Sequence, residues 1–138
     1  MNTQQKVLPL QESNGAKEKA QADLKRELAG FTGTTQYYKC SFLSKLAVTD
    51  GIQFLRNRAN CYWLFDIVAS YQKQLAKYDA RFQVWKVIVN DDNSAVVTCR
   101  EDSDQPEIVR KEIGYTDFLL DELEFWCIDG VILLKNEY

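Results

Sequence analysis

Apolar positions between residues 61 and 78 recur at helical spacing: Leu64, Ile67, Val68, Tyr71, Leu75 and Tyr78 fall on one stripe, opposite Asp66, Ser70, Lys73 and Lys77. The spacing predicts a helix over Cys61 to Tyr78 that covers the core. Beyond it the pattern shortens to a period of two or to brief apolar runs. FQVWKVIV (82–89), a DDNS turn and AVVTCRE (95–101) predict a hairpin. SDQP predicts a second turn ahead of EIVRKEIGY (107–115), a third antiparallel strand. In LDELEFWCIDGVILL, Leu123, Phe125 and Cys127 alternate with acids before Asp129-Gly130, a favoured hairpin pair.

Earlier in the chain the signals are mostly helical. AKEKAQADLKRELAG is rich in helix formers, with a cap at Ser13 or Asn14, a stop at Gly30 and a narrow stripe of Ala20, Leu24 and Leu28. Residues 1–15 are polar, contain Pro9 and lack periodicity, and read as a flexible leader. FTGTTQYYKC (31–40) suggests a turn into a short aromatic segment of ambiguous period. Thr49, Asp50 and Gly51 read as a helix start before IQFLRNRA, in which Ile52, Leu55 and Ala59 share a face and Arg56 is exposed. Helices first and strands second predict one α+β domain over residues 16–138, with N-terminal helices packed on a meandering antiparallel sheet in two layers.

Composition narrows the chemistry. The 138 residues, 46% of them apolar, suit a single domain. There is no histidine, which excludes Ser-His-Asp and Cys-His catalysis within the chain, so any catalysis would fall to carboxylates, Lys, Tyr or Cys. Cys40, Cys61, Cys99 and Cys127 lack the close pairing of zinc ribbons or redox sites and read as four small apolar residues with free thiols. No metal and no cofactor are expected. The longest mostly apolar stretch, Cys61 to Ser70, is about half of what a bilayer requires. With no secretory pattern either, a cytoplasmic location and no membrane partner are expected. Net charge is only −3, yet residues 31–90 carry +5 and residues 91–138 carry −9. Such polarity gives opposite potentials on two faces if those segments form separate layers.

The segments FTGTTQYY (31–38), TDG (49–51), YWLFDIVASYQ (62–72), VVTCRED (96–102) and DGVILLKNEY (129–138) together resemble DUF6876, a family of unknown function met in bacterial genomes and mobile elements. The resemblance spans roughly residues 24–138 and leaves the N-terminal segment outside. It implies one compact domain in a bacterial or mobile-element setting, and it transfers no activity or site residues. Where the family often has histidine after Tyr-Tyr-basic, this chain has Cys40.

Candidate site residues each have a structural reading beside the functional one. Tyr37, Tyr38 and Lys39 set aromatic and cationic groups beside a turn, suited to a protein partner or to a stacked base, with Arg56 and Arg58 as phosphate contacts; alternatively one tyrosine packs inward. Asp66 interrupts an apolar run, as a binding or catalytic group or as an exposed or paired structural carboxylate. Asp50 is a helix cap, or converges with Asp66 on a metal. Glu122 and Glu124, among the acids near Asp117 and Asp121, form a binding face or the solvent side of a strand. The leading expectation is a non-enzymatic interaction protein that binds another protein through a charge-polarised surface, as an inhibitor or regulator. A carboxylate-based metal-dependent phosphoesterase and a nucleic-acid-binding module are the alternatives; the acidic total and the lack of an aromatic RNA-binding strand motif disfavour the latter.

Overall fold

The structure, a computed structural model, describes residues 3–78 and 81–138, with side chains from residue 15 onward. The chain divides into two units, residues 1–30 and 31–138. The first is a helix, α1 (Thr3–Ala29), closed by Gly30, whose N–H donates to the Glu27 carbonyl at 3.2 Å. The expected start at Ser13 or Asn14 is corrected, because the backbone is already helical at Thr3. The Gln, Lys, Leu and Glu residues of this stretch are good helix formers, and their propensity acts without the apolar period on which the sequence reading relied. Residues 1 and 2 of the expected leader, and the side chains of both candidate caps, lie outside the described residues.

The second unit is built on a seven-stranded sheet, which confirms the α+β class. Its strands are β1 (Tyr38–Lys39), β2 (Ala47–Val48), β3 (Phe82–Val89), β4 (Ala95–Arg100), β5 (Glu107–Ile113), β6 (Glu122–Ile128) and β7 (Val131–Leu134), in the order β1-β2-β7-β6-β3-β4-β5. Every neighbouring pair is antiparallel except β2 with β7. β3, β4 and β5 form the expected meander, but the chain then returns through residues 114–121 to lay β6 on the other side of β3. Burial explains the order. β5 carries Glu107, Arg110, Lys111 and Glu112 and is an edge strand, whereas β7 brings buried Ile132, Leu133 and Leu134 to the interior. Asp129 (φ 49°) and Gly130 (φ 84°) both adopt the left-handed backbone that tightens the β6–β7 turn.

Register places Val109, Cys99, Trp85, Phe125 and Leu134 in one row across the sheet, all buried. Two helices cover that face: α2 (Asp50–Arg58) and α3 (Tyr62–Ser70). Phe65 of α3 packs on Phe125 with ring centroids 5.1 Å apart, and Tyr71 on Trp85 at 6.5 Å. The predicted helix over 61–78 is corrected to three pieces: α3, the single turn α4 (Gln72–Leu75) and a 3₁₀ turn, Ala76–Tyr78. At the break, the Val68 carbonyl accepts from Tyr71 N–H (3.3 Å) and from the Gln72 side chain (3.0 Å). That side chain is drawn inward by an amide pair with buried Gln83, which also accepts from Trp85 Nε1 at 2.8 Å. A buried polar cluster thus sets the helix end against the apolar stripe.

Candidate functional site

Thr49, Asp50 and Gly51 begin α2, but the roles differ from those expected. Thr49 is the cap, its Oγ1 accepting from Ile52 N–H at 3.4 Å, and Asp50 is the first helical residue. Asp50 instead holds the preceding loop: its carboxylate accepts from the Thr35 N–H (2.8 Å), the Thr35 hydroxyl (3.0 Å) and the Tyr38 hydroxyl (3.0 Å). The Thr35 N–H is the main cause of a carboxyl pKa below its ordinary value, and the Asp50 hydrogen bond in turn raises the Tyr38 phenol. Behind this loop sits a residue the sequence reading missed. Glu137, 9% exposed, reaches back from the C-terminal turn and accepts from Thr49 Oγ1 (2.6 Å), Gly51 N–H (2.9 Å) and Leu134 N–H (2.9 Å). A Cβ at Gly51 would lie 2.6 Å from Leu134 Cδ1 and 2.7 Å from Glu137 Oε1, so glycine is what admits the carboxylate to the helix end.

Arg56 is not the exposed phosphate contact expected. It is 3% exposed and donates to the carbonyls of Cys40 (2.6 Å) and Lys39 (3.2 Å) and to Gln53 Oε1, while its guanidinium lies 4.5 Å from the Tyr62 ring centroid. The helical stripe of Ile52, Leu55 and Ala59 extends to position 56, and the planar fork suits two adjacent carbonyls. Of the neighbouring aromatics, Tyr38 packs partly inward against Asp50, while Tyr37 remains 62% exposed beside exposed Lys39. Tyr37, Lys39 and Lys45 share a groove of about 430 Å³.

Arg56 braces the start of the connection between β1 and β2, and the tip of that connection is the most conspicuous surface of this unit. Phe42 is 90% exposed and Leu43 93%. The connection is nonetheless tied: Cys40 N–H donates to Leu46 O (2.9 Å), Ser44 N–H to Ser41 O (3.4 Å) and Leu46 N–H to Ser44 Oγ (2.9 Å). Cys40 Sγ also reaches the Phe65 carbonyl of α3 at 3.5 Å. Between the tip and the helices lies a groove of about 730 Å³, walled on one side by residues 41–46 and on the other by Asp66, Ala69, Ser70 and Gln72. Asp66 is therefore a solvated carboxylate on a groove wall, set apart from Asp50 and its loop network. At about 100° per residue, Trp63 and Ile67 emerge from the other flank of the exposed side of α3. There they line a third groove, of about 460 Å³, with Ile113, Tyr115 and Asp117.

Glu122 and Glu124 project from the sheet face opposite to Trp85 and Phe125, as strand alternation requires. Each meets a lysine: Glu122 with Lys86 at 3.2 Å, and Glu124 with Lys135 at 2.9 Å. The acidic C-terminal part is thus partly neutralised where it faces solvent. All four cysteines are free and buried, and burial pushes the Cys40 thiol up to about 11 and the other three up to about 12. Iodoacetamide near neutral pH should therefore leave the native protein unlabelled and modify all four thiols in denaturant. Rapid labelling of the folded chain would contradict this burial.

Among the described residues, no helix is long and apolar enough to cross a membrane, and no group of three or more His, Cys, Asp or Glu residues is arranged to hold a metal ion. One family model matches, described as "Family of unknown function (DUF6876)", over residues 22–138. No curated protein and no solved structure matches the chain.

Proposed function

We propose that this chain, which belongs to the DUF6876 family of unknown function, is a non-enzymatic interaction module that binds a second protein chain through the β1–β2 tip and the groove beside α3. The observation that carries the reading is the near-complete exposure of Phe42 and Leu43 on a hydrogen-bonded connection. Large apolar side chains held out in water by a tied backbone are the usual form of a protein-docking anchor, since little ordering entropy remains to be lost on binding. Two of the groups that suggested chemistry are engaged in structure: Asp50 holds the loop before β1, and Arg56 holds the start of the β1–β2 connection. The anchor also shifts the proposal away from Glu122 and Glu124, which already have lysine partners. The setting assigned is the cytoplasm of a bacterium or its mobile elements, and the role that of an inhibitor or regulator.

Affinity-tagged protein expressed in its source cells tests this. A chain captured by the wild type should be lost with Phe42→Ser/Leu43→Ser and kept with Glu122→Lys/Glu124→Lys, both variants matching the wild type by circular dichroism. The reverse pattern would return the interface to the acidic face. Capture of nucleic acid in place of protein would favour the nucleic-acid-binding alternative, carried by Tyr37 and Lys39 because Arg56 is buried.

A further inference from the structure

Resting on that docking surface, we infer that its occupant is a second copy of this chain, the two copies exchanging their Phe42–Leu43 tips across a two-fold axis. The argument is self-complementarity. A two-fold interface brings one surface patch against itself, so each feature must find its complement on the same patch. Here a protruding apolar tip and an apolar groove of about 730 Å³ lie side by side, the tip forming one wall of the groove. A two-fold operation then seats each tip in the other copy's groove.

The charges obey the same rule. Lys45 stands on the hairpin wall and Asp66 on the helical wall, and among the described residues neither forms an ion pair, with each other or with any other group. Crossing the two-fold axis sets Lys45 of each copy against Asp66 of the other, giving two equivalent ion pairs at the rim of the buried tips. Unpaired charges of opposite sign on the two walls of one groove give a patch that is complementary to its own two-fold image. The tip is also prepared for insertion, because three internal hydrogen bonds and the Arg56 contacts to the Lys39 and Cys40 carbonyls fix its backbone.

Sedimentation equilibrium over a wide concentration range, on the full chain, decides the matter. The wild type should be a monomer–dimer system, and Phe42→Ser/Leu43→Ser should be monomeric throughout. Lys45→Glu and Asp66→Lys, each alone, should raise the dimer dissociation constant at least about tenfold by setting like charges together. Combining them should restore dimerisation to near the wild-type value, a result that loss of folding cannot imitate. A monomeric wild type overturns the inference, as does a dimer that survives the tip substitutions or a double charge variant no better than the singles. These outcomes leave docking of a different protein to the co-purification comparison, so the two readings fail separately.

Discussion

Glu137→Ala should lower the unfolding free energy by about 3–4 kcal/mol, a large share of the stability of a domain this size. The carboxylate is nearly buried and accepts three hydrogen bonds, from Thr49 Oγ1, Gly51 N–H and Leu134 N–H. Hydrogen bonds to a charged group are worth about 1.5–3 kcal/mol each and do not add fully. Truncation also leaves two backbone N–H groups and one hydroxyl without their partner and removes negative charge from the N-terminus of α2. Glu137→Gln should fall in between, since one amide oxygen can still accept but its NH₂ meets a donor at Gly51. Gly51→Ala places a methyl where Leu134 Cδ1 and the Glu137 carboxyl stand, and should be destabilising by itself. In the Glu137→Ala background its cost should shrink, because half of the obstruction is gone. Urea unfolding of the four chains measures this coupling. A loss below about 1 kcal/mol for Glu137→Ala would mean that water replaces the carboxylate at the helix end.

The longer strands were legible because each shows a two-residue alternation or a short apolar run bounded by turn signals. Phe82 to Val89 coincides with β3 to the residue, and Asp129-Gly130 turns where the pair demands it. Sheet order was not legible. β5 and β6 read as consecutive members of a meander, yet β6 pairs with β3, and only the charged, edge-like character of β5 hints at it. The break at Tyr71 was hidden for a similar reason: a stripe of apolar residues says which side faces the core, while the interruption comes from Gln72 meeting Gln83, a contact between distant positions. Site residues divided along the same line. Tyr37 and Asp66 are exposed as their polar ends suggest, whereas Arg56 and Glu137 are charges spent on backbone groups far away in sequence. Nothing in the local pattern at KNEY marks a glutamate that caps a helix begun at Thr49. The apolar pair in SFLS escaped the sequence reading, since two residues between two-residue strands define no period.

Arg56→Ala should cost about 3 kcal/mol, and its effect should be concentrated in the tip. The guanidinium holds the carbonyls of Lys39 and Cys40 together and bonds the Gln53 side chain from a position 3% exposed. Removing it leaves those carbonyls unpaired beside the Tyr62 ring, with a void where the side chain stood. Arg56→Lys should recover less than half of the loss, because one ammonium cannot reproduce a planar fork across two carbonyls. Hydrogen exchange distinguishes local from global damage. The Cys40 and Leu46 amides, bonded within the connection, should exchange faster in both variants, while those of β3 and β4 should track global stability alone. The same variants test the link from fold to function. If Phe42 and Leu43 dock because their backbone is fixed beforehand, then Arg56→Lys, still folded, should weaken capture of the second chain although it alters no group on the docking surface. Unchanged capture by a variant whose tip exchanges freely would place the binding energy in the apolar side chains alone, with no contribution from the rigidity that Arg56 provides.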